Sequence, residues 1–224
     1  MSNLSATVSD FAAQVRRDVE ESARVLRETG TLSASNIGNA YQRVQGEEKI
    51  VLAKFPGLWA SEREVKVTVI GFDGTVHGGD SQPGGAQYVK LFLAHPEITT
   101  IVHAHTPYLA SWSSAQQNFR ILYVAAQRHT LAREIPVHID RRTSQIDFVL
   151  EQLKANPHTF AILEGNGGST FWGDGIVKIA QSIIFVEEGA KFQHLAQAIG
   201  GSKEYGPGVL EQQWKMTGLN AKAA

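Results

Sequence analysis

Two histidines, His103 and His105, stand two residues apart at the end of an apolar, β-branched run, Ile98 to Val102. On a strand, side chains at i and i+2 share a face, so both imidazoles point the same way. Imidazole is the commonest nitrogen ligand for zinc and also suits iron, copper and nickel. Thr106-Pro107-Tyr108 turns the chain immediately after the pair. The pair is therefore expected at the rim of a rigid element, where a site is held accurately and still opens to a ligand. The same spacing also fits two strand-end histidines bonded to backbone or carboxylate groups. A metal site needs a third ligand, which the spacing does not identify.

The rest of the composition narrows the chemistry. The 224 residues contain no cysteine, which excludes disulfides, thiolate metal sites, iron–sulfur clusters and cysteine nucleophiles. Of the eight histidines, His77, His95 and His158 sit in turns or at element ends and read as solvated. His194 falls in the last turns of a long helical pattern, where a cation suits the helix dipole. His129 and His138 flank the Arg133–Pro136 connection and are second-rank candidates for the same centre. The formal net charge of −1 gives no electrostatic case for nucleic acid or an anionic membrane surface. No apolar run approaches a membrane span, and the polar start, Met1 to Asp10, lacks the pattern of a secretory signal. The expected location is cytoplasmic. At 42% hydrophobic and 19% charged residues, the chain is able to bury a sizeable core.

The elements that must position the histidine pair follow from periodicity. Phe11, Val15, Val19, Ala23 and Leu26 recur at helical spacing, and Gly30 supplies a stop. Lys49–Ala53 and Glu64–Gly71 read as strands separated by turns at Phe55-Pro56-Gly57, Phe72-Asp73-Gly74, Gly78-Gly79-Asp80 and Pro83-Gly84-Gly85. Helices are expected at Gln87–Ala94, Leu109–Ser114, Tyr123–Arg133, Ser144–Ala155 and Ile176–Ile199. Strands are expected at Ile135–Ile139 and Thr159–Leu163. The order favours one α/β domain over residues 1–224, with a mixed, largely antiparallel sheet covered by helices.

At this point the sequence resembles the class II aldolase/adducin family. His95-Pro96-Glu97 followed by Ile98 to His105 is similar to the segment in which a family helix ends and a strand delivers an HxH pair to a metal. Ser35-Asn36-Ile37 resembles the family's Gly-Asn-(Ile/Val)-Ser loop, and Phe55-Pro56-Gly57 falls where the family has a Pro-Thr-Gly turn. Ile70 to Gly74 resembles the strand and tight turn that follow. Ala161 to Gly167 stands where the second metal-site strand ends. Val186 to Ala190 and Leu195 to Ala198 are similar to the closing helix. The resemblance implies a three-layer α/β/α fold and a homo-oligomer, commonly a tetramer, with active sites between subunits. It also implies a divalent metal that holds a hydroxy-carbonyl substrate and stabilises an enediolate as a C–C bond is cleaved or formed.

The departures are informative. Family aldolases carry a third metal histidine in a His-Gly pair, and here Asn166 stands at that place in Glu164-Gly165-Asn166-Gly167. With His103 and His105, Asn166 completes the expected ligand set, an amide oxygen being a weaker zinc ligand than imidazole. Glu164, two residues earlier, supplies an oxygen ligand or an acid/base carboxylate, or is a solvated strand-end charge. The family's acid/base glutamate, in a Pro-Ser-Ser-Glu stretch, has no counterpart in Ser81 to Ala86; its position falls on Gly84 or Ala86. Asp80, the nearest acid, reads as a turn residue. The serines that bind substrate phosphate are replaced by the same glycines, which disfavours a phosphorylated substrate. The amides of Gly84 and Gly85 remain candidates for an anion-binding nest, and Asn36 joins them as a substrate-binding candidate. Tyr123, in Arg120-Ile121-Leu122-Tyr123, resembles the tyrosine that delivers a proton in fuculose-phosphate-type aldolases; it also reads as a packing aromatic.

The leading expectation is a metal-dependent lyase, of aldolase or decarboxylase type, acting on a non-phosphorylated hydroxy-carbonyl or carboxylated small molecule. Zinc is the first expected ion, with manganese or iron(II) as alternatives because oxygen donors favour harder ions. A second reading is a catalytically inactive, adducin-like binding or assembly module. A third is a non-haem iron oxygenase using the histidine pair and a carboxylate.

Overall fold

The computed structural model describes residues 5–59, 65–79 and 84–219. Glu64, Asp80 and Ser81 to Pro83, on which a strand start and two turns are expected, lie outside the described residues. Along the chain run α1 (Ala6–Glu28), β1 (Gly38–Arg43), β2 (Lys49–Lys54), β3 (Lys66–Gly71) and β4 (Val76–Gly79). A 3₁₀ turn at Ala86–Tyr88 leads into α2 (Val89–Ala94), β5 (Thr100–Ala104), α3 (Leu109–Ala115), β6 (Phe119–Arg120) and α4 (Val124–Gln127). Then follow β7 (Glu134–Ile135), β8 (Val137–His138), α5 (Gln145–Ala155), β9 (Ala161–Glu164), β10 (Ser169–Gly173) and α6 (Ile176–Ala196). A second 3₁₀ turn (Gln197–Ile199) and α7 (Val209–Met216) end the described chain. The architecture is mixed α/β with a large, mostly antiparallel sheet and helices. No described helix is long and apolar enough to cross a membrane. The residues group into two compact units, Met1–His105 with Thr170–Ala180, and Thr106–Ser169 with Gln181–Ala224.

The first unit is built on sheet. Its strands lie in the order β4-β3-β2-β1-β5-β10, and the pairs β3–β4, β2–β3, β1–β2 and β1–β5 are antiparallel. Ile50 to Ala53 of β2 and Val67 to Gly71 of β3 are buried without interruption. Interior strands covered on both faces lose the apolar–polar alternation of a half-exposed sheet. The first helix supplies one cover: α1 packs on β2 and β3 with Val8, Ala12, Val15, Val19, Ala23 and Leu26 buried, a stripe of period near 3.6. Ser5 caps its start by accepting the Val8 amide at 3.3 Å. Gly30, at φ +70°, reverses the chain so that the Thr31 and Leu32 amides both return to the Leu26 carbonyl, as helix C-termini require.

In the second unit β6 pairs antiparallel with β7, and β8 pairs parallel with β9. The single strand expected at Ile135–Ile139 is instead two two-residue strands with different partners. Pro136 between them has no N–H to give a ladder. The helix expected over Tyr123–Arg133 is reduced to α4. The Thr130 hydroxyl accepts the Ala132 amide at 2.9 Å and the Gln127 side-chain amide donates to the Ile121 carbonyl at 2.8 Å, local bonds that compete with helix continuation. Four strands escape the sequence pattern, the two-residue β6 among them. β1 mixes polar and apolar residues, β4 contains the Gly78-Gly79 expected as a turn, and β10 lies in the glycine-rich stretch after β9. Helix α7, beyond Gly200-Gly201, has no counterpart among the expected elements either.

One close approach in the first unit is testable. A Cβ on Gly38 would overlap the buried Phe55 ring, so β1 starts with glycine because the ring occupies the side-chain space. Gly38→Ala is expected to cost about 1–3 kcal/mol, read as a lower urea midpoint at unchanged slope. Combined with Phe55→Leu, it should cost less than the sum of the single changes. An additive double variant would remove the ring from the explanation.

Candidate functional site

β5 delivers the histidine pair as its pattern predicts. Thr100, Ile101, Val102 and Ala104 are buried and His103 is half-buried. The pairing carries one residue past the strand, since the His105 amide donates to Ile37 O at 3.1 Å and its carbonyl accepts from Ser33 N at 2.8 Å. The alternation therefore persists, and the two rings stand edge to face with centroids 5.2 Å apart. The His103 Nδ1 is hydrogen-bonded to the Thr170 hydroxyl at 3.0 Å. A bond of this kind restrains the orientation of the ring. Asn39 lies directly opposite His103 in the β1–β5 ladder, on the same face of the sheet. Sequence reading misses both neighbours: Thr170 belongs to a strand hidden in a glycine-rich stretch, and Asn39 acquires its place only through the register of β1.

The substrate-binding candidates of the first unit are Asn36, Gly84 and Gly85. Asn36 sits in the loop before β1 with φ +52°, its amide bonded to Ser33 O at 2.9 Å. Gly85 has φ +93°, and a Cβ there would meet the Tyr41 ring at 2.6 Å. The Gly85 amide already donates to Gln87 Oε1 at 3.1 Å, so an anion at this turn has to displace that side chain. Gly84 is less crowded: a Cβ there would stand 3.8 Å from the Leu52 side chain, an ordinary van der Waals distance.

The remaining candidates, Glu164, Asn166 and Tyr123, belong to the second unit. Glu164 ends β9 with its side chain 13% exposed. Its Oε1 accepts the Gln145 amide at 2.8 Å and its Oε2 lies 3.9 Å from Arg141, which also donates to Gly165 O at 3.0 Å. Asn166 takes the left-handed conformation, φ +55°, uncommon outside glycine and tolerated best by asparagine. The turn is held by Ser113 of α3. The serine hydroxyl bonds Glu164 O at 2.9 Å and Gly167 O at 3.0 Å and receives the Gly167 amide at 3.2 Å, while Asn166 N donates to Ser113 O at 3.2 Å. Tyr123 opens α4. Interaction with the Glu188 carboxylate, together with burial, pushes its phenol above the ordinary range. Its ring meets Phe192 edge to face at 5.2 Å.

The second-rank histidines have structural partners. His138 stacks on Phe148 and bonds Thr143 O at 3.1 Å, and His129 stacks on Phe185 at 5.4 Å. Among the described residues no cluster of three or more histidine, aspartate or glutamate side chains is gathered in metal-ligating range. The imidazole pair itself has the donor chemistry of a divalent metal site. It would hold such an ion by two nitrogens, the other positions going to oxygen donors.

One buried carboxylate is not foreseen by the sequence pattern. Glu187 of α6 is 4% exposed and accepts the Tyr108 and Leu109 amides at 2.5 and 2.8 Å. These are the first amides of α3, which has no side-chain cap of its own, so Glu187 satisfies donors that a helix start leaves unpaired. Only its helical position in the apolar α6 hints at this.

Comparison with known proteins places this geometry. Residues 17–194 match the family model described as Class II Aldolase and Adducin N-terminal domain. An L-fuculose 1-phosphate aldolase superimposes with a TM-score of 0.69 at 17% identity, over 91% of this chain and 95% of that one. The L-fuculose 1-phosphate aldolase of Glaciozyma antarctica PI12 gives 0.68 at 18%, over 99% and 90%. YgbL of Escherichia coli, described as a candidate aldolase/epimerase/decarboxylase, gives 0.69 at 16%, over 91% and 99%. At such identities the likeness to these structures is one of fold.

Burial pushes the Glu187 carboxyl above its ordinary value, against the downward pull of the two amides. The folded state then keeps the proton longer than the unfolded chain. The group's contribution is complete at low pH and is lost as pH rises through the raised folded value. Urea titrations from about pH 4 to about pH 8 should show wild type losing stability relative to Glu187→Gln as pH rises. A difference that moves the opposite way would mean that the amide bonds outweigh burial.

Proposed function

This chain belongs to the class II aldolase and adducin family, and from that premise we propose that it is a metal-dependent lyase of aldolase or decarboxylase type. Its substrate in this proposal is a non-phosphorylated hydroxy-carbonyl or carboxylated small molecule. The observation that carries the reading is the imidazole pair on one strand face, with His103 tethered through Nδ1 to Thr170. His103 and His105 would hold a divalent ion, zinc before manganese or iron(II), with Asn166 as an oxygen ligand. Such an ion, when bound, polarises a carbonyl and offsets charge developing on its oxygen.

The chain's own residues would do the rest. Thr170 keeps the His103 ring from rotating, so that its coordinating nitrogen is aimed before a ligand arrives. Glu164 would carry the proton, its carboxylate oriented by the Gln145 amide and by Arg141. Tyr123 would act as an auxiliary donor, its ring held edge to face by Phe192. Asn36 and the Gly84-Gly85 turn would receive the substrate. The absence of space for a side chain at Gly85 supports a substrate without a phosphate, since no serine hydroxyl fits there. In keeping with the family, the working form would be a homo-oligomer, a tetramer by resemblance.

Metal analysis tests this reading. Wild type equilibrated with divalent ions should retain a stoichiometric metal, and His103→Ala and His105→Ala should lose it. Thr170→Val should bind about 10–100-fold more weakly, the usual cost of removing the partner of a ligating histidine. Retro-aldol and decarboxylation screens with the loaded protein then read the reaction, oxygen uptake marking an oxygenase instead. Wild type without stoichiometric metal would favour the inactive adducin-like module.

A further inference from the structure

Residues 195–219 lie beyond the stretch matched by the family model, and within the second unit they make a set of contacts concentrated on one short segment, Arg120 to Arg133. The Trp214 indole N–H of α7 donates to Gln127 O at 3.0 Å and to Thr130 O at 3.2 Å. The Thr217 hydroxyl donates to Arg128 O at 2.9 Å. Arg128 Nε donates to Gln213 Oε1 at 2.6 Å, and the Arg133 guanidinium lies over the Trp214 ring, 5.9 Å from its centroid. Glu204 pairs with Arg120 at 2.6 Å and Arg133 at 3.5 Å.

The segment so gripped cannot hold itself. Helix α4 has four residues, with a single interior-type bond, Gln127 N to Tyr123 O at 2.9 Å, extended by Arg128 N to Val124 O at 3.0 Å. One turn fixes several backbone dihedrals for very few hydrogen bonds, and is unstable without outside contacts. At this helix end the Gln127 carbonyl has only a long local bond, from the Thr130 amide at 3.5 Å, and α7 with the residue after it supplies a donor to it and to the Arg128 carbonyl. The ion pairs of Glu204 are about half-exposed and contribute little, so the indole and hydroxyl donors matter more. At the other end of the same turn stands Tyr123. It is packed so closely on α6 that a Cβ on Gly189 would sit 2.8 Å from its own Cβ.

We propose that Trp214 and Thr217 are positioning residues: by capping the single turn Val124–Gln127 from outside, they hold the Tyr123 ring in its place against Gly189 and Phe192 of α6. The inference deepens the proposed function, resting on its assignment of Tyr123 as a proton carrier. The stretch beyond the family-model match thereby controls the geometry of one donor without contributing a group to the chemistry.

The test is ¹³Cζ-tyrosine NMR on the full chain, with the Tyr123 resonance identified by its disappearance in Tyr123→Phe. In wild type this phenol titrates above the ordinary range because of Glu188. Trp214→Phe keeps an aromatic ring and removes the indole N–H; Thr217→Val keeps the shape and removes the hydroxyl. Each change, and both together, should shift the Tyr123 resonance toward that of a solvated tyrosine and its titration down toward the ordinary value. Thr217→Ser, which retains the hydroxyl, should keep the wild-type signal. Ile183→Val, a core change in the same unit, should lower stability and leave the signal in place. A wild-type Tyr123 signal in the folded single variants overturns the proposal, as does an equal shift in Ile183→Val. If Tyr123→Phe retains full lyase turnover, the role of Tyr123 falls instead, and the NMR result still decides the strap.

Discussion

A carboxylate buried in the second unit is the constraint from which much of its arrangement follows. Glu187 has given up water to accept two amides at the start of α3. A buried carboxyl is tolerated only where such donors replace solvent. Fixing that helix start fixes Ser113 further along α3, and Ser113 in turn bonds three backbone groups of the Glu164–Gly167 turn. The left-handed backbone of Asn166 is thus held by neighbours rather than by its own preference, as a residue in a sparsely populated region must be. The order of dependence runs from charge to helix to turn to candidate side chains, and none of these steps involves an exposed ion pair.

The first unit solves its problem by register. Because side chains on a strand alternate with period two, a slip of one residue between β1 and β5 would send both imidazoles to the opposite face. The buried runs of β2 and β3 and the burial of Val102 and Ala104 on the other face of β5 make that slip costly, since it would drive His103 into that buried face. Gly38 and Phe55 add a steric stop at the end of β1, next to where the His105 backbone is still paired. The histidine pair is therefore held by the whole sheet, with Thr170 adding the last degree of freedom, the rotation of one ring.

Much of this is legible in the sequence. The β-branched run into His103 and His105 and their i, i+2 spacing forecast their shared face, and the α1 stripe and the apolar strands forecast the cover and the sheet. What stays hidden is local in sequence but tertiary in cause. The strand at Ser169–Gly173 hides among glycines because its neighbours, not its propensity, make it a strand, and with it goes Thr170, the partner of His103. The break at Pro136 is masked by the β-branched residues around it, although a missing N–H is a stronger fact than a propensity. Glu187 and Glu188 read alike as helix charges, and only packing decides that one meets two amides and the other a phenol.

The glycines before α2 show how tightly neighbours close around a position that carries no side chain. A serine at position 85 would need a left-handed backbone, and its Cβ would stand within 2.6 Å of the Tyr41 ring. Tyr41 in turn packs on Tyr88 at 4.6 Å between centroids, so the ring has a neighbour opposing retreat. The amide that would otherwise meet an anion is bonded to Gln87. Restoring a hydroxyl there thus requires concerted change in the turn, in Tyr41 and in Gln87, not one substitution. Where several groups have closed around a glycine, the local structure itself opposes an added side chain.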